Sequence, residues 1–186
     1  MDEVKIYSIS NEYVSYLKED PRLRNVFQNK PEKHIRKYLG VVLQRDEFHY
    51  FVPFSSPKES DYLLVDGKKV VRKSIIPIIR MTATDLSGEP ELKGTLKLSN
   101  MIPVPESELT LYDLDGEQDS NYKILVEKEW AFIRSHLPLI FKNAKILYNQ
   151  KTKAATLYPD GNAPRYLTAA IDFKYAEQKC REFQET

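Results

Sequence analysis

Cysteine, histidine and glycine are all scarce in this sequence, and each scarcity excludes a class of protein. The single cysteine, Cys180, cannot form an internal disulfide bond. The three histidines are scattered along the chain, so that they and the one cysteine do not make up a Cys/His zinc site. None of the six glycines belongs to a GxxxxGKS/T phosphate-binding loop. We therefore expect neither a disulfide scaffold, nor a bound metal, nor a P-loop nucleotide-binding protein.

Long apolar runs and a strong excess of one charge are absent as well. No run approaches the roughly 18 apolar residues that cross a bilayer, and the first residues, MDEVKIYSI, are acidic where a secretory signal would be basic. Together with the single cysteine, this predicts a protein of the reducing cytoplasm that does not enter membranes. The net charge of +1 tells against a strongly basic coat protein for nucleic acid, but it allows a local basic patch.

The composition that remains is typical of a globular protein. Hydrophobic residues make up 41% of the 186 residues and charged residues 30%. A chain of this length can bury a sizeable core, so we expect a single domain that spans residues 1–186.

Strand-like patterns occupy the first half of the chain. Residues 4–9 alternate as in a strand, and Ser10 can cap a short helix that stops before Pro21. Two hairpins are expected, one between 38–44 and 49–54 and one, around Asp66-Gly67, between 62–65 and 68–73.

Helical patterns occupy the chain after Pro105. Ser120 can cap a helix over 121–136, Pro138 fits the first turn of another helix, and a last one lies near 172–184. The sequence therefore predicts an α+β fold. We expect a compact, twisted and partly closed, barrel-like antiparallel sheet with three or four helices packed around it.

The stretch FVPFSSPKES, residues 51–60, ends a predicted strand in two serines, a proline and a lysine. Serine and proline are ordinary residues of a surface turn. Ser55 and Lys58 also match the SxxK pattern of penicillin-binding acyl enzymes, although the KTG and SDN partners are missing.

Metal-independent RNA cleavage requires fewer catalytic groups from the protein. The 2′-hydroxyl of the substrate is the nucleophile, so the enzyme supplies a base, an acid and positive charge for the phosphorane.

A basic segment, KPEKHIRK at 30–37, precedes the strand that pairs with 49–54. In an antiparallel hairpin the start of one strand lies beside the end of the other. The basic segment and the corner at 55–58 are therefore expected to share one site. The groups concerned are Lys33, Arg36, Lys37, Ser55, Ser56 and Lys58. The same basic rim, with the many tyrosines of the chain, would also serve an RNA-binding module without catalysis.

Several segments carry a resemblance when they are taken in order. They are KIYSISNEYVSYLK, RKYLGVVL followed by YFVPFSSPK, LSNMIPVPESEL, YKILVEKEWAFIRSH, NAKILY and DFKYAEQKCREF. In their order and spacing the chain resembles, nearly from end to end, the endoribonuclease toxins of type III toxin–antitoxin systems, the ToxN/AbiQ family.

The resemblance implies a fold akin to the MazF/Kid toxins and RNA cleavage without metal or cofactor, leaving a 2′,3′-cyclic phosphate and a 5′-hydroxyl. It implies a bacterial cytoplasmic protein that cuts RNA, including mRNA. Its role would be phage defence by abortive infection, plasmid maintenance, or both. The inhibitor would be a small, repeated and structured antitoxin RNA, which the toxin processes and then holds in its groove within a closed toxin–RNA hetero-oligomer. A MazF-like RNase toxin that is inhibited by a protein stays open as an alternative.

The resemblance also implies a set of catalytic residues. Ser56 stands at the important serine, Ser55 at its Ser/Thr neighbour, and Lys58 at the lysine of the S-P-K motif. Arg36 stands at the basic position four residues before the glycine of the YLGVVL strand, and Tyr13 at the tyrosine of the first helix. Lys58 and Arg36 would stabilise the phosphorane charge, and Ser56 would hold or protonate a phosphate oxygen. The acid and the base stay unassigned.

Four further residues are expected to contact RNA. Lys33 and Lys37 supply positive charge beside Arg36. Phe27 stands in place of a tyrosine that some members carry, and Ser60 stands where an aromatic residue can follow the S-P-K motif. Base stacking is therefore expected to be weaker at these two positions or to come from elsewhere.

Overall fold

The computed structural model describes residues 4–29 and 35–185 and contains nine strands and five α-helices. The strands are β1 Lys5–Ile9, β2 Tyr38–Arg45, β3 Phe48–Ser55, β4 Tyr62–Val65, β5 Lys68–Val71, β6 Ile78–Thr84, β7 Pro90–Lys97, β8 Ile102–Pro103 and β9 Leu109–Leu111. The helices are α1 Asn11–Glu19, α2 Ser120–Thr152, α3 Ala154–Leu157, α4 Arg165–Ala169 and α5 Phe173–Gln184. Short 3-10 helices include Glu59–Asp61, directly after β3. The predicted α+β class is confirmed.

The main sheet is antiparallel and open. Its strands follow the order β6-β7-β3-β2-β1-β9, with β8 paired to β3, while β4 and β5 form a separate two-stranded sheet. The expected closure into a barrel is wrong, because the described residues show no pairing between the end strands β6 and β9. Helix α2 packs against β2, β6 and β7 and covers the sheet there, so burial is achieved by a helix rather than by closure.

The hairpin of β2 and β3 is confirmed, and its register fixes the position of the site. Tyr38 pairs with Pro53, and one residue earlier the carbonyl of Lys37 accepts a hydrogen bond from the Phe54 N–H at 3.0 Å. Gly40 is required within this hairpin, because a Cβ there would collide with the Phe51 ring. The second hairpin is confirmed as well, and its Asp66-Gly67 turn has positive φ at both residues.

Helix α2 departs from the sequence prediction in two ways. It is one helix of 33 residues, and it is not interrupted at Pro138. Pro138 and the residue one turn before it are exposed, so the carbonyl that proline leaves without an N–H donor faces water. The helix is capped by Asp119, whose carboxylate accepts the N–H groups of Asn121 and Tyr122, and not by Ser120. Ser10 caps α1 as predicted.

One hydrophobic core joins the sheet to α1, α2 and α5. None of the helices in the described ranges combines the length and the apolar character that a bilayer crossing requires.

Candidate active site

The corner at 55–58 is fixed by the residue that follows it on the 3-10 helix. Ser55 is half-buried at the end of β3, and Ser56 and Lys58 are exposed. The Lys58 N–H donates to Asp61 Oδ2 at 3.0 Å, and the Asp61 N–H donates back to the Lys58 carbonyl at 2.9 Å. The two bonds hold the backbone of Lys58 in one orientation.

Asp61 itself is held by buried cations. Its side chain is 1% exposed, and Oδ1 accepts a hydrogen bond from Nε of the buried Arg80 at 3.0 Å. Arg80 also donates to the Lys73 carbonyl at 2.7 Å, and the Lys97 ammonium lies 4.0 Å from Asp61 Oδ1. Burial lowers the pKa of Lys97, whereas the Asp61 carboxylate opposes that effect. The serine corner therefore rests on a buried ion pair.

Arg36 faces the corner from the segment before β2. Its guanidinium donates to the Phe54 carbonyl at 2.8 Å and to the Gln28 carbonyl at 3.4 Å, and it lies 4.9 Å from the centre of the Phe27 ring. A guanidinium has five N–H donors. These two bonds therefore leave donors with which Arg36 can bind a phosphate.

A cavity of about 1140 Å³ connects the two sides, and we call it the groove. Six of the predicted residues line it, namely Phe27, Arg36, Lys37, Ser55, Ser56 and Lys58. The antiparallel pairing of β2 and β3 thus brings Arg36 and Lys37, at the end of the basic segment, to one cavity with the serine corner. Lys33 lies outside the described residues.

Two predicted residues are not in the groove. Ser60 is exposed on the 3-10 helix and does not line the cavity. Tyr13 is 0% exposed, its hydroxyl donates to the Pro103 carbonyl at 2.7 Å, and its ring packs against Phe183 with centroids 5.0 Å apart. Burial raises the pKa of the Tyr13 hydroxyl well above its ordinary value. The structure therefore places Tyr13 in the core, away from any bound phosphate.

Helix α2 adds groove residues that the sequence analysis missed. Tyr122, Leu125 and Glu129 line the cavity opposite the hairpin. The Lys37 side chain is buried among them, donating to the Tyr122 hydroxyl with its ammonium 4.0 Å from the centre of that ring. One signal was available, because Glu129 lies seven residues after Tyr122 and so puts a carboxylate on an otherwise apolar helix face.

Lys37 and Glu129 perturb each other through charge. Burial raises the pKa of Glu129 to about 7, although the Lys37 ammonium acts in the opposite direction. Burial lowers the pKa of Lys37; the carboxylates of Glu129 and Glu117 oppose this, and the Arg36 guanidinium adds to it. The groove wall therefore carries a lysine whose pKa is lowered and a carboxyl group whose pKa is raised to about 7.

Comparisons with known proteins agree in pointing to one family. The model of a family described as "Toxin ToxN, type III toxin-antitoxin system" matches residues 5–181, a span that includes both sides of the groove. The endoribonuclease ToxN of Bacillus thuringiensis subsp. kurstaki is 27% identical over 186 residues, covering 99% of this chain and 86% of that protein. The endoribonuclease AbiQ of Lactococcus lactis subsp. lactis is 26% identical over 176 residues, covering 95% and 87%.

The fold is shared as well. A solved structure described as selective toxin inhibition by a non-coding RNA pseudoknot, in bacterial type III toxin–antitoxin systems, matches with a TM-score of 0.75. That chain is 27% identical, and the match covers 100% of both chains.

Proposed function

This chain belongs to the ToxN family of type III toxin–antitoxin toxins, and from that premise we propose that it cleaves RNA in the groove between Arg36 and the serine corner. It is an endoribonuclease toxin that a non-coding antitoxin RNA inhibits, as its ToxN and AbiQ relatives and its structural neighbour support. One observation carries the assignment of the site. The Arg36 guanidinium reaches the Phe54 carbonyl, so a fixed cation and the two serines line the same cavity.

The reaction is an internal transfer within the RNA. The 2′-hydroxyl oxygen attacks the adjacent phosphorus, the bond from phosphorus to the 5′-oxygen breaks, and the products carry a 2′,3′-cyclic phosphate and a 5′-hydroxyl. The proton of the 2′-hydroxyl passes to a base, and the leaving 5′-oxygen takes up a proton. Water and metal are not needed in this step, because the substrate supplies its own nucleophile.

The protein contributes charge and hydrogen bonds to the phosphorane. Arg36 and Lys58 stabilise its negative charge, and Ser56 donates to a phosphate oxygen, with Ser55 beside it. Phe27 offers a ring for base stacking and Lys37 an ammonium for phosphate. A contact from Lys33 stays a prediction.

Tyr13 and Ser60 take no part in the proposal, since neither lines the cavity. The acid and the base stay unassigned. Lys37 and Glu129 join the candidates because both line the groove and burial lowers the pKa of Lys37 and raises the pKa of Glu129.

We further propose that the antitoxin RNA occupies the same groove, since inhibitor and substrate present the same backbone. The whole chain acts as one toxin domain in the bacterial cytoplasm, cuts mRNA among other RNAs and assembles with its antitoxin RNA into a closed hetero-oligomer. A role in phage defence and a kinship of the sheet to that of MazF and Kid belong to the same proposal. The shared hydrophobic core supports the single domain.

The test is cleavage of a mixed-sequence RNA in the presence of EDTA by protein freed of bound RNA. Ser56→Ala is expected to lower the cleavage rate by about 100-fold or more while RNA binding is retained, because it removes one donor to the transition state. Ser107→Ala, which alters an exposed serine outside the groove, is the matched control. Product ends other than cyclic phosphate and 5′-hydroxyl, or full activity in Ser56→Ala, would contradict the mechanism. Binding without cleavage by the wild type would leave an RNA-binding module.

A further inference from the structure

An acidic side chain lines a groove that we assign to RNA, where its charge would repel phosphate. Glu129 is 5% exposed, and its Oε2 has no hydrogen-bond partner within the described part of the chain. Its other oxygen packs against the backbone of Gly94 on β7, so closely that a Cβ there would collide with it. The carboxyl group is therefore packed against β7 at the groove wall.

Lys37 faces the same cavity with its side chain enclosed. It is 6% exposed, its ammonium donates to the Tyr122 hydroxyl, and it lies 5.6 Å from the centre of the Phe54 ring. Burial disfavours the charged form of a lysine, and a nearby opposite charge favours it. Among the described residues, Glu129 is the carboxylate that acts most strongly on Lys37, followed by Glu117.

We propose that Glu129 is an exchangeable counter-ion for Lys37. It balances the ammonium while the groove is empty, and it takes up a proton when an RNA phosphate replaces it. Glu129 thus acts as a counter-ion that offsets the charge of Lys37 across the shared cavity until a phosphate arrives. The proposal rests on the proposed function for the nature of the ligand.

A bound RNA phosphate changes the charge balance between Lys37 and Glu129. In the free groove the carboxylate and the ammonium partly cancel each other. A phosphate that binds Lys37 adds a second negative charge beside a buried carboxylate, and a like charge at short range favours the protonated form. Burial already brings the pKa of Glu129 to about 7, so a further rise makes the carboxyl neutral in the complex. Binding of RNA is therefore linked to uptake of one proton.

Other charged and titratable groups also face this pair, and the test must separate them from it. They are Arg36 next to Lys37, Lys93 on β7, Tyr112 after β9, Glu117 before α2 and Tyr122 on α2. Burial raises the pKa of both tyrosines, so neither changes its charge near neutral pH.

The experiment measures RNA affinity against pH with a single-stranded RNA whose 2′-hydroxyls are methylated, so that it cannot be cleaved. At constant ionic strength, the wild-type affinity is expected to fall about tenfold from about pH 7 to about pH 8.5, as uptake of one proton requires. Glu129→Gln, which keeps the size of the side chain and removes its charge, is expected to change by less than about twofold and to bind more tightly than wild type at the higher pH. Glu127→Gln, an exposed glutamate on the same helix, should keep the wild-type slope.

Calorimetry in two buffers of different ionisation enthalpy counts the protons directly and does not depend on comparing affinities. Uptake in wild type that is absent in Glu129→Gln supports the exchange. Binding without uptake in wild type, or equal uptake in both proteins, overturns it. Cleavage of unmodified RNA is measured separately. Proton-linked binding without cleavage would refute the proposed activity alone, cleavage without proton-linked binding would refute the exchange alone, and failure to bind RNA would refute both.

Discussion

Replacement of Asp61 tests whether the buried ion pair supports the serine corner. In Asp61→Ala the buried Arg80 loses its carboxylate partner, and the Lys58 N–H loses its acceptor. Removal of one member of a buried pair costs about 3–5 kcal/mol. Arg80 keeps its bond to the Lys73 carbonyl, so we expect a loss near the lower end, about 3 kcal/mol in the free energy of unfolding.

Equilibrium unfolding in urea measures this loss, and for a chain of this size it corresponds to a fall of about 6–12 °C in Tm. The cleavage rate, measured where the variant is still folded, should fall as well, because Lys58 is no longer held toward the groove. Glu59→Gln is the matched control, since Glu59 lies on the same 3-10 helix and its ion pair with Lys69 is exposed. It is expected to cost less than about 0.5 kcal/mol.

A second variant separates loss of the pair from loss of packing. Asp61→Leu combined with Arg80→Met replaces both charges by apolar groups, and it should be more stable than Asp61→Ala because Arg80 is no longer buried without its carboxylate. Lys97 loses the nearby carboxylate in both variants, so its contribution cancels in the comparison. An Asp61→Ala protein within about 1 kcal/mol of wild type and with an unchanged cleavage rate would refute the reasoning.

Three further variants test the placement of single residues. Tyr13→Phe should lower stability by about 1–2 kcal/mol through loss of the bond to Pro103 and leave the cleavage rate unchanged; a rate defect in a stable protein would restore Tyr13 to the active site. Gly94→Ala should cost about 1–3 kcal/mol in thermal unfolding, because its Cβ displaces Glu129. A folded-state pKa of Glu129 raised from 4.5 to about 7 favours the protonated form, so wild type loses stability as pH rises through that window. Relative to wild type, Glu129→Gln should therefore gain about 3 kcal/mol between about pH 4 and about pH 8 in urea titrations, and a constant difference would count against the raised pKa.

The parts of the site that depend on local chain geometry could be predicted from the sequence. The apolar runs at 38–44 and 49–54 and the short turn between them predict an antiparallel hairpin, which places Arg36 beside Ser55 and Ser56. The turn residues Asp66 and Gly67 identified the second hairpin for a similar reason.

The parts that depend on distant segments could not be predicted. Asp61 and Arg80 are 19 residues apart in the chain. No spacing pattern in the sequence predicts that Arg80 on β6 pairs with Asp61 beside the serine corner. Tyr122 and Glu129 lie within the helix predicted over 121–136, but they reach the groove because α2 packs across the sheet, which the sequence does not predict. The expected break rested on the hydrogen bond that Pro138 removes from the helix. Because the freed carbonyl is exposed to water, this loss is reduced, and packing of α2 on the sheet determines the length of the helix.

The two walls of the groove come from different parts of the chain, a hairpin and a helix, so they can change independently during evolution. Arg36, Ser56 and Lys58 lie on one short stretch of chain, which can be inherited as a unit together with its chemistry. The opposite wall comes from α2, where a residue such as Leu125 can be substituted while the proposed reacting groups stay in place. A lineage can therefore change which RNA it accommodates, and so follow a drifting antitoxin, while the rate of the chemical step is conserved.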